Sequence, residues 1–393
     1  MSRSLRFALP LFLGLVVVLT LVPGRAPGAG FQLLEQSARG VGYGFAGAAA
    51  GYGDGSSAFF NPAAMDKLEQ PVMSLGGHLI MPSAKFSNQG SVLATTGQPV
   101  AGGNGGDGGE TALVPNYYYV LPLPEDTRTT LGFAVNVPFG LSTEYPDGWV
   151  GRYHGLRTDL STVNFNPSLS FKAADWLAIG AGISGMYADA ELSQAVDFGA
   201  VAGIGPQALD GKTTLTGDDW GYNWNVGLLC TVAEESFVGL SYRSQTDLTM
   251  DGDVKWSVPA PLQALQAQGV FINGGGQVDV TLPETAALGA SHQLTEDWGL
   301  LGEVAWTRWS RFEELRVVFD NPRQPDSVVV ENWDDAFRLS LGTDYDLNDE
   351  WTLRGGLTYD ESPVPGPDHR TPRIPDMDRY WLALGLGFNA TEN

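Results

Sequence analysis

DWGYNWNVGLLCTV, residues 219 to 232, decides the fold. Trp220, Tyr222, Trp224, Val226, Leu228, Cys230 and Val232 share one parity; Asp219, Gly221, Asn223, Asn225, Gly227, Leu229 and Thr231 share the other. A period of two places the sets on opposite faces of a strand, one apolar and one polar or small. The alternation recurs in Val163, Phe165, Pro167, Leu169 and Phe171, in Phe337, Leu339, Leu341, Thr343 and Tyr345, and in Tyr380, Leu382, Leu384, Leu386 and Phe388. Strands of a soluble sandwich usually run about 5 to 6 residues, whereas these reach roughly 10 or more, the length that crosses a bilayer when tilted. The fold class is therefore all-β, a transmembrane antiparallel β-barrel.

The turns agree. AADWLAIG, TEDWGLLG and NDEWTLRG each set an acid and a tryptophan (Trp176, Trp298, Trp351) where a short turn enters a strand, the place of interfacial anchors. Counting around them gives 12 strands, near 71–82, 112–122, 128–140, 161–172, 176–190, 218–233, 236–250, 278–293, 298–318, 336–347, 351–360 and 378–390. Short turns alternate with long connections at 83–111, 141–160, 191–217, 251–277 and 361–377, which are expected on the cell exterior. A closed barrel also satisfies its own backbone hydrogen bonds, which lipid cannot do.

Export is written at the start of the chain. Arg3 and Arg6 precede the apolar run Leu9 to Val22, and GRAPGAG follows with small residues at Ala26 and Gly28. The run is about 14 residues, short of the ~20 a spanning helix needs, so residues 1–28 are read as a cleaved signal peptide with Ala29, Gly30 and Phe31 opening the mature chain. A net charge of −23 argues against nucleic acid as a partner. The single cysteine, Cys230, excludes an intramolecular disulfide framework. No metal spacing links His78, His154, His292 and His369, no G-x-S-x-G occurs, and GYGFAG at 42–47 follows no strand as a dinucleotide loop would. Neither catalysis nor a cofactor is expected.

Residues 29–70 precede the first strand, are rich in Gly and Ala, and alternate nowhere long enough to span; a water-wide lumen is where such a segment can go, as a plug. Here AGFQLLEQSARGVGYGFAGAAAGYGDGSSAFFNPAAM resembles the N-terminal hatch of the FadL family, outer-membrane transporters of long-chain fatty acids and other hydrophobic compounds. The resemblance continues through DDWGYNWNVGLL, LSYRS, LPET, WTRWSRFEELRV, DAFRLSLGTDYDLNDEWTLRGGLTYDESPVP and RIPDMDRYWLALG. It implies a hatch at 29–70, a barrel at 71–393, a hydrophobic ligand such as a fatty acid or hydrocarbon, and a monomer in outer-membrane lipid without cofactor. The implied barrel has 14 strands, one hairpin more than the 12 visible before the chain stops at GFNATEN.

In that family ligand leaves sideways beside an inward kink of the third strand, next to an Asn-Pro-Ala motif of the hatch. The matching residues are Phe59, Phe60, Asn61, Pro62 and Ala63, and LGFAVNVPFGLSTEY carries Pro138, Phe139 and Gly140. Independently, a proline that donates no ladder bond and a glycine that weakens pairing mark this strand as the place for a gap. Arg316 matches a basic residue that meets the ligand carboxylate, although counting by twos from Trp306 turns it toward lipid. The second basic partner implied near Gln194 is missing; only Asp189, Glu191 and Gln194 stand there, which opens aromatic-hydrocarbon uptake as an alternative substrate class. Arg243, Arg338 and Arg354 have lumen parity, where pairing with Asp or Glu is the ordinary outcome. A structural barrel or adhesin without transport is the reading from another class, and it gives the hatch no purpose.

Overall fold

The computed structural model describes residues 30–123 and 128–390, so the signal peptide expected at 1–28 and Ala29 lie outside the described residues. Among these, 17 antiparallel strands form one sheet. They are β1 (Val72–Ile80), β2 (Ala112–Pro122), β3 (Thr129–Asn136), β4 (Gly140–Glu144), β5 (Arg157–Ala174), β6 (Leu177–Asp197), β7 (Asp210–Ala233), β8 (Ser236–Arg243), β9 (Thr246–Ser257), β10 (Gly274–Leu282), β11 (Thr285–Gln293), β12 (Trp298–Thr307), β13 (Glu314–Phe319), β14 (Ser327–Val330), β15 (Ala336–Asp346), β16 (Trp351–Asp360) and β17 (Arg379–Phe388). Five staves of the wall are each split in two, so the strand count exceeds the expected 12 while the staves do not. Pro138 breaks the third stave between β3 and β4, and Pro283 breaks the eighth between β10 and β11.

The stretch at 219–232 lies in β7 and pairs with Leu177 to Ala188 of β6. Trp220, Tyr222, Trp224, Val226 and Leu228 point outward, whereas Asn223 and Asn225 are buried inside, where Asn223 Nδ2 donates to Thr246 Oγ1 at 2.9 Å and Asn225 Oδ1 accepts from Asn166 Nδ2 at 3.1 Å. The expected external connections at 191–217 and 251–277 are corrected in part: β6, β7 and β9 run 21, 24 and 12 residues and rise beyond the bilayer as a paired rim. Hydrogen bonding continues there because strands already in register gain a bond per residue, and the rim's outward face is acidic rather than apolar.

No ladder among the described residues joins β17 to β1. Leu75 of β1 and Leu382 and Leu384 of β17 are therefore flanked on one side only and stand about 80% exposed, against about 40% for Leu169, Leu228 and Leu341 on inner staves.

Residues 30–68 pack against the inner face of the sheet and carry four short helical turns: Ala38–Gly42, Ala48–Ala50, Ser57–Phe60 and Pro62–Lys67. Ser37 Oγ accepts from Gly40 N, and Asn61 Oδ1 from Ala63 N, so side chains cap turns too short to support themselves. The seat is cut by glycines on the inner face of the wall. A Cβ at Gly239 would strike the Ala49 carbonyl, one at Gly180 the Ala63 backbone, and one at Gly356 the Tyr43 backbone. Backbone lies on backbone there, which only glycine permits. Replacing Gly239 by Leu is expected to unseat this segment and lower the thermal midpoint of the detergent-solubilised barrel, at a cost of about 1–3 kcal/mol for overpacking. Gly148→Ala, where nothing lies within 4 Å of the new atom, should melt like the parent.

Candidate functional site

Between β3 and β4 the chain leaves the wall. Phe139 swings inward to near-complete burial, and β4 resumes pairing with β5 alone, Gly140 opposite Ser161 through Glu144 opposite Arg157. Its former neighbour β2 pairs with β3 only from Tyr117 onward, so Ala112 to Asn116 have no ladder on that side. The result is a window in the wall, bounded toward the exterior by a bridge between Gly109 and Thr143. A cavity of about 720 Å³ lies at this window, lined by Ala112 to Val114, Val137, Gly140 and Leu141 of the wall and by Phe31 to Leu33 inside.

The broken backbone is repaired from within. Leu33 N donates to Pro138 O at 2.9 Å, Gly140 N donates to Phe31 O at 3.1 Å, and the Gln36 amide reaches Val137 O at 2.6 Å. Tyr118 OH, on β2, donates to Gln36 O at 2.6 Å, tying the far edge of the window to the same segment. Phe31 itself sits in an aromatic box: Trp309 at 4.7 Å, Phe312 at 5.7 Å, Trp333 at 6.0 Å and Phe139 at 6.2 Å between ring centroids. Gly30, with φ +61°, lets the chain turn against Trp309 and Trp333, and its N–H donates to Asp376 Oδ2 at 3.1 Å.

Toward the exterior, a second cavity of about 260 Å³ is walled by aliphatic and aromatic side chains including Leu192, Leu215, Trp256 and Val317. Arg373 closes it. Its guanidinium is almost fully buried, donating to Gln194 Oε1 at 2.8 Å and Thr158 Oγ1 at 3.1 Å, and no carboxylate among the described residues lies within ion-pair distance. Burial pulls it down to about 10, with Glu331 opposing the shift, so it is a cation at neutral pH. Glu331 is fully buried; Trp333 Nε1 donates to its Oε2 at 3.1 Å, while Oε1 has no partner. Burial raises that carboxyl to about 7, against weaker lowering by Trp333 and then Arg373.

The residues singled out by sequence are distributed differently from expectation. Asn61, Pro62 and Ala63 are buried inside the barrel, but the contact with the kink belongs to Phe31 to Gln36 instead. Asn61 Nδ2 donates to Ala49 O at 2.6 Å and to Leu228 O at 3.0 Å, and Ser170 Oγ donates to Ala63 O at 3.2 Å, so the motif presses on β5 to β7. Phe59 and Phe60 face an inner cavity that Pro138 and Phe139 also line. Arg316 lies on the outer face of β13, held by Glu314 at 2.6 Å and Asp326 at 3.0 Å, while its neighbours Leu315 and Val317 face the pocket. Parity decides this, turning the side chain expected to meet ligand away from the pocket. The cation missing beside Gln194 comes from Arg373, which sequence reading passed over; the signal available was an arginine held between Pro372 and Pro375 in the last long loop. Cys230 shares the outward parity of Trp224.

The family described as outer membrane protein transport protein (OMPP1/FadL/TodX) matches residues 19–393. The chain is 31% identical over 400 residues to a long-chain fatty acid transport protein of Escherichia coli O6:H1, covering 96% of this chain and 87% of that one. It is equally 31% identical to the 47 kDa outer membrane protein of Pasteurella multocida, covering 100% and 90%. Among solved structures, a Pseudomonas aeruginosa FadL homologue superposes with a TM-score of 0.84 at 24% identity, over 92% of this chain and 87% of that one. The Pseudomonas putida toluene transporter TodX gives 0.66 at 17% identity, over 92% and 89%, and both likenesses are of fold. With its lipid-facing barrel and matched sequence over nearly the whole length, the chain belongs to the OMPP1/FadL/TodX family of outer membrane transport proteins.

Proposed function

We propose that this protein takes up long-chain fatty acids, capturing them in the outer pocket at Arg373 and releasing them sideways through the window between β2 and β4. The observation that carries the reading is Arg373: a buried cation with no acid in contact among the described residues, at the closed end of an apolar pocket beside the external loops. A guanidinium there offers a carboxylate paired, charge-assisted hydrogen bonds, and the apolar walls take the chain. Release sideways follows from the magnitude of hydration: at about 0.8 kcal/mol per methylene, a chain of ~16 carbons resists transfer to periplasmic water by roughly 12 kcal/mol, a cost that sliding into membrane hydrocarbon avoids.

Phe31 is the moving part. It occupies the aromatic box between the outer pocket and the window, and its own carbonyl accepts from Gly140 N in the kink, so a ligand tail entering the box displaces Phe31 and frees the Gly140 N–H together. The glycine-seated remainder of the plug need not move. The same box supports a second substrate class: a space that holds a phenyl ring also suits a monoaromatic hydrocarbon. Competition by a neutral hydrocarbon against oleate in binding to purified protein separates the two.

In cells lacking their own transporter, expression of the chain is expected to restore uptake of labelled oleate; no gain overturns the fatty-acid reading. Arg373→Gln should weaken oleate binding to the purified protein by about tenfold or more, the worth of a hydrogen bond to a charged group, without changing thermal stability of the barrel by a comparable factor. The sign of the pH effect follows from Glu331. Below about pH 7 it is neutral and Arg373 is free for the ligand; as pH rises through 7 it ionises beside Arg373 and competes, so oleate affinity falls. Glu331→Gln should flatten that fall in a titration from pH 6 to 8. Filling the window with Gly140→Leu, where even a Cβ meets Leu33 at 2.9 Å, should leave binding intact and cut uptake severalfold.

A further inference from the structure

Behind the kink lies a third cavity, of about 100 Å³, lined by Pro138, Phe139, Phe59, Phe60, Asn225 and Arg243. Arg243 enters it from the top of β8. Its guanidinium donates to Ser184 Oγ and Asn223 Oδ1 at 3.1 Å, to Phe59 O at 2.9 Å and to Asn166 Oδ1 at 3.2 Å, and stacks 4.4 Å from the Phe59 ring centroid. Every one of these acceptors is neutral. Among the described residues no carboxylate comes within ion-pair distance of it, although Arg338 across the same cavity is neutralised by Glu303 at 2.8 Å. Asp360, on the Arg338 side, is the other acid lining the space.

A second donor points to the same vacancy of charge. Asn225 is almost fully buried, its Oδ1 accepts from Asn166 at 3.1 Å, and its Nδ2 has no partner. An ionised group kept inside a membrane barrel without a counter-ion is costly, and such groups mark substrate paths. The cavity's size admits a carboxylate head and a few methylenes, not a whole amphiphile.

We propose that Arg243, with Asn225, forms an inner station for the carboxylate head of the transported amphiphile, between the outer pocket and the window. This rests on the fatty-acid reading and deepens it: the head passes from one unpaired arginine to a second, while the tail, already at the window, enters lipid first. Phe59, whose carbonyl and ring both touch Arg243, links the station to the plug.

The test compares labelled oleate with labelled oleyl alcohol, which lacks the charge, in cells lacking their own transporter, alongside oleate binding to purified protein. Arg243→Gln is expected to lower oleate uptake about tenfold and to change oleyl alcohol uptake less than about twofold. Arg243→Lys should recover most of the oleate uptake. Equal loss of both substrates in both variants makes Arg243 a brace for the plug and overturns the station. So does unchanged oleate uptake in Arg243→Gln. If the parent binds oleate no better than Arg373→Gln does, the fatty-acid reading itself falls, and the station with it.

Discussion

Inside hydrocarbon a strand that abandons its ladder must find hydrogen bonds elsewhere, and in this protein the break at Val137 to Gly140 finds them on the segment from Phe31 to Gln36. The window in the wall exists because that substitution works. Pro138 removes a donor, Phe139 turns inward, and three backbone or amide donors of the plug and kink close the account. The same few residues hold Phe31 in its aromatic box, so the kink and the box share one short segment of chain.

The plug consequently has two characters. From Tyr43 to Lys67 it lies backbone against backbone on wall glycines, with Asn61 bonding both to Ala49 within the plug and to Leu228 of β7, and close packing of this kind leaves no room for partial displacement. From Gly30 to Gln36 it is held by aromatic contacts, an Asp376 hydrogen bond and the kink. Apolar ring contacts can be exchanged for a ligand's own apolar surface at little net cost, whereas a buried backbone-to-backbone seat has nothing to exchange with.

Charge follows the same path. Glu303 and Arg338 pair where the plug must stay, and Arg308 and Arg311 share Glu284 at the break between β10 and β11. Among the described residues Arg373 and Arg243 are left without an acid in contact, and both border cavities. A barrel rich in aspartate could have paired them; instead Gln, Asn, Ser and Thr side chains satisfy their donors without neutralising the charge.

The alternation of Trp220, Tyr222 and Trp224 against Asn223 and Asn225 was sufficient to place lipid outside and polarity inside, because a strand's two faces are set by parity alone. Pro138 and Gly140 likewise announced a local break, since what proline and glycine do to a ladder does not depend on distant neighbours. The parity of Arg316, counted from Trp306, already pointed outward, and the tertiary structure agrees with it against the motif match. What no local pattern could supply was which residues meet: Arg373 reaches Gln194 across 179 positions, and Phe31 rather than Asn61 meets the kink. Those pairings depend on how twelve staves are staggered and on which wall positions are glycine where the N-terminal segment comes to rest, and such relations come into being only when the chain is folded around itself.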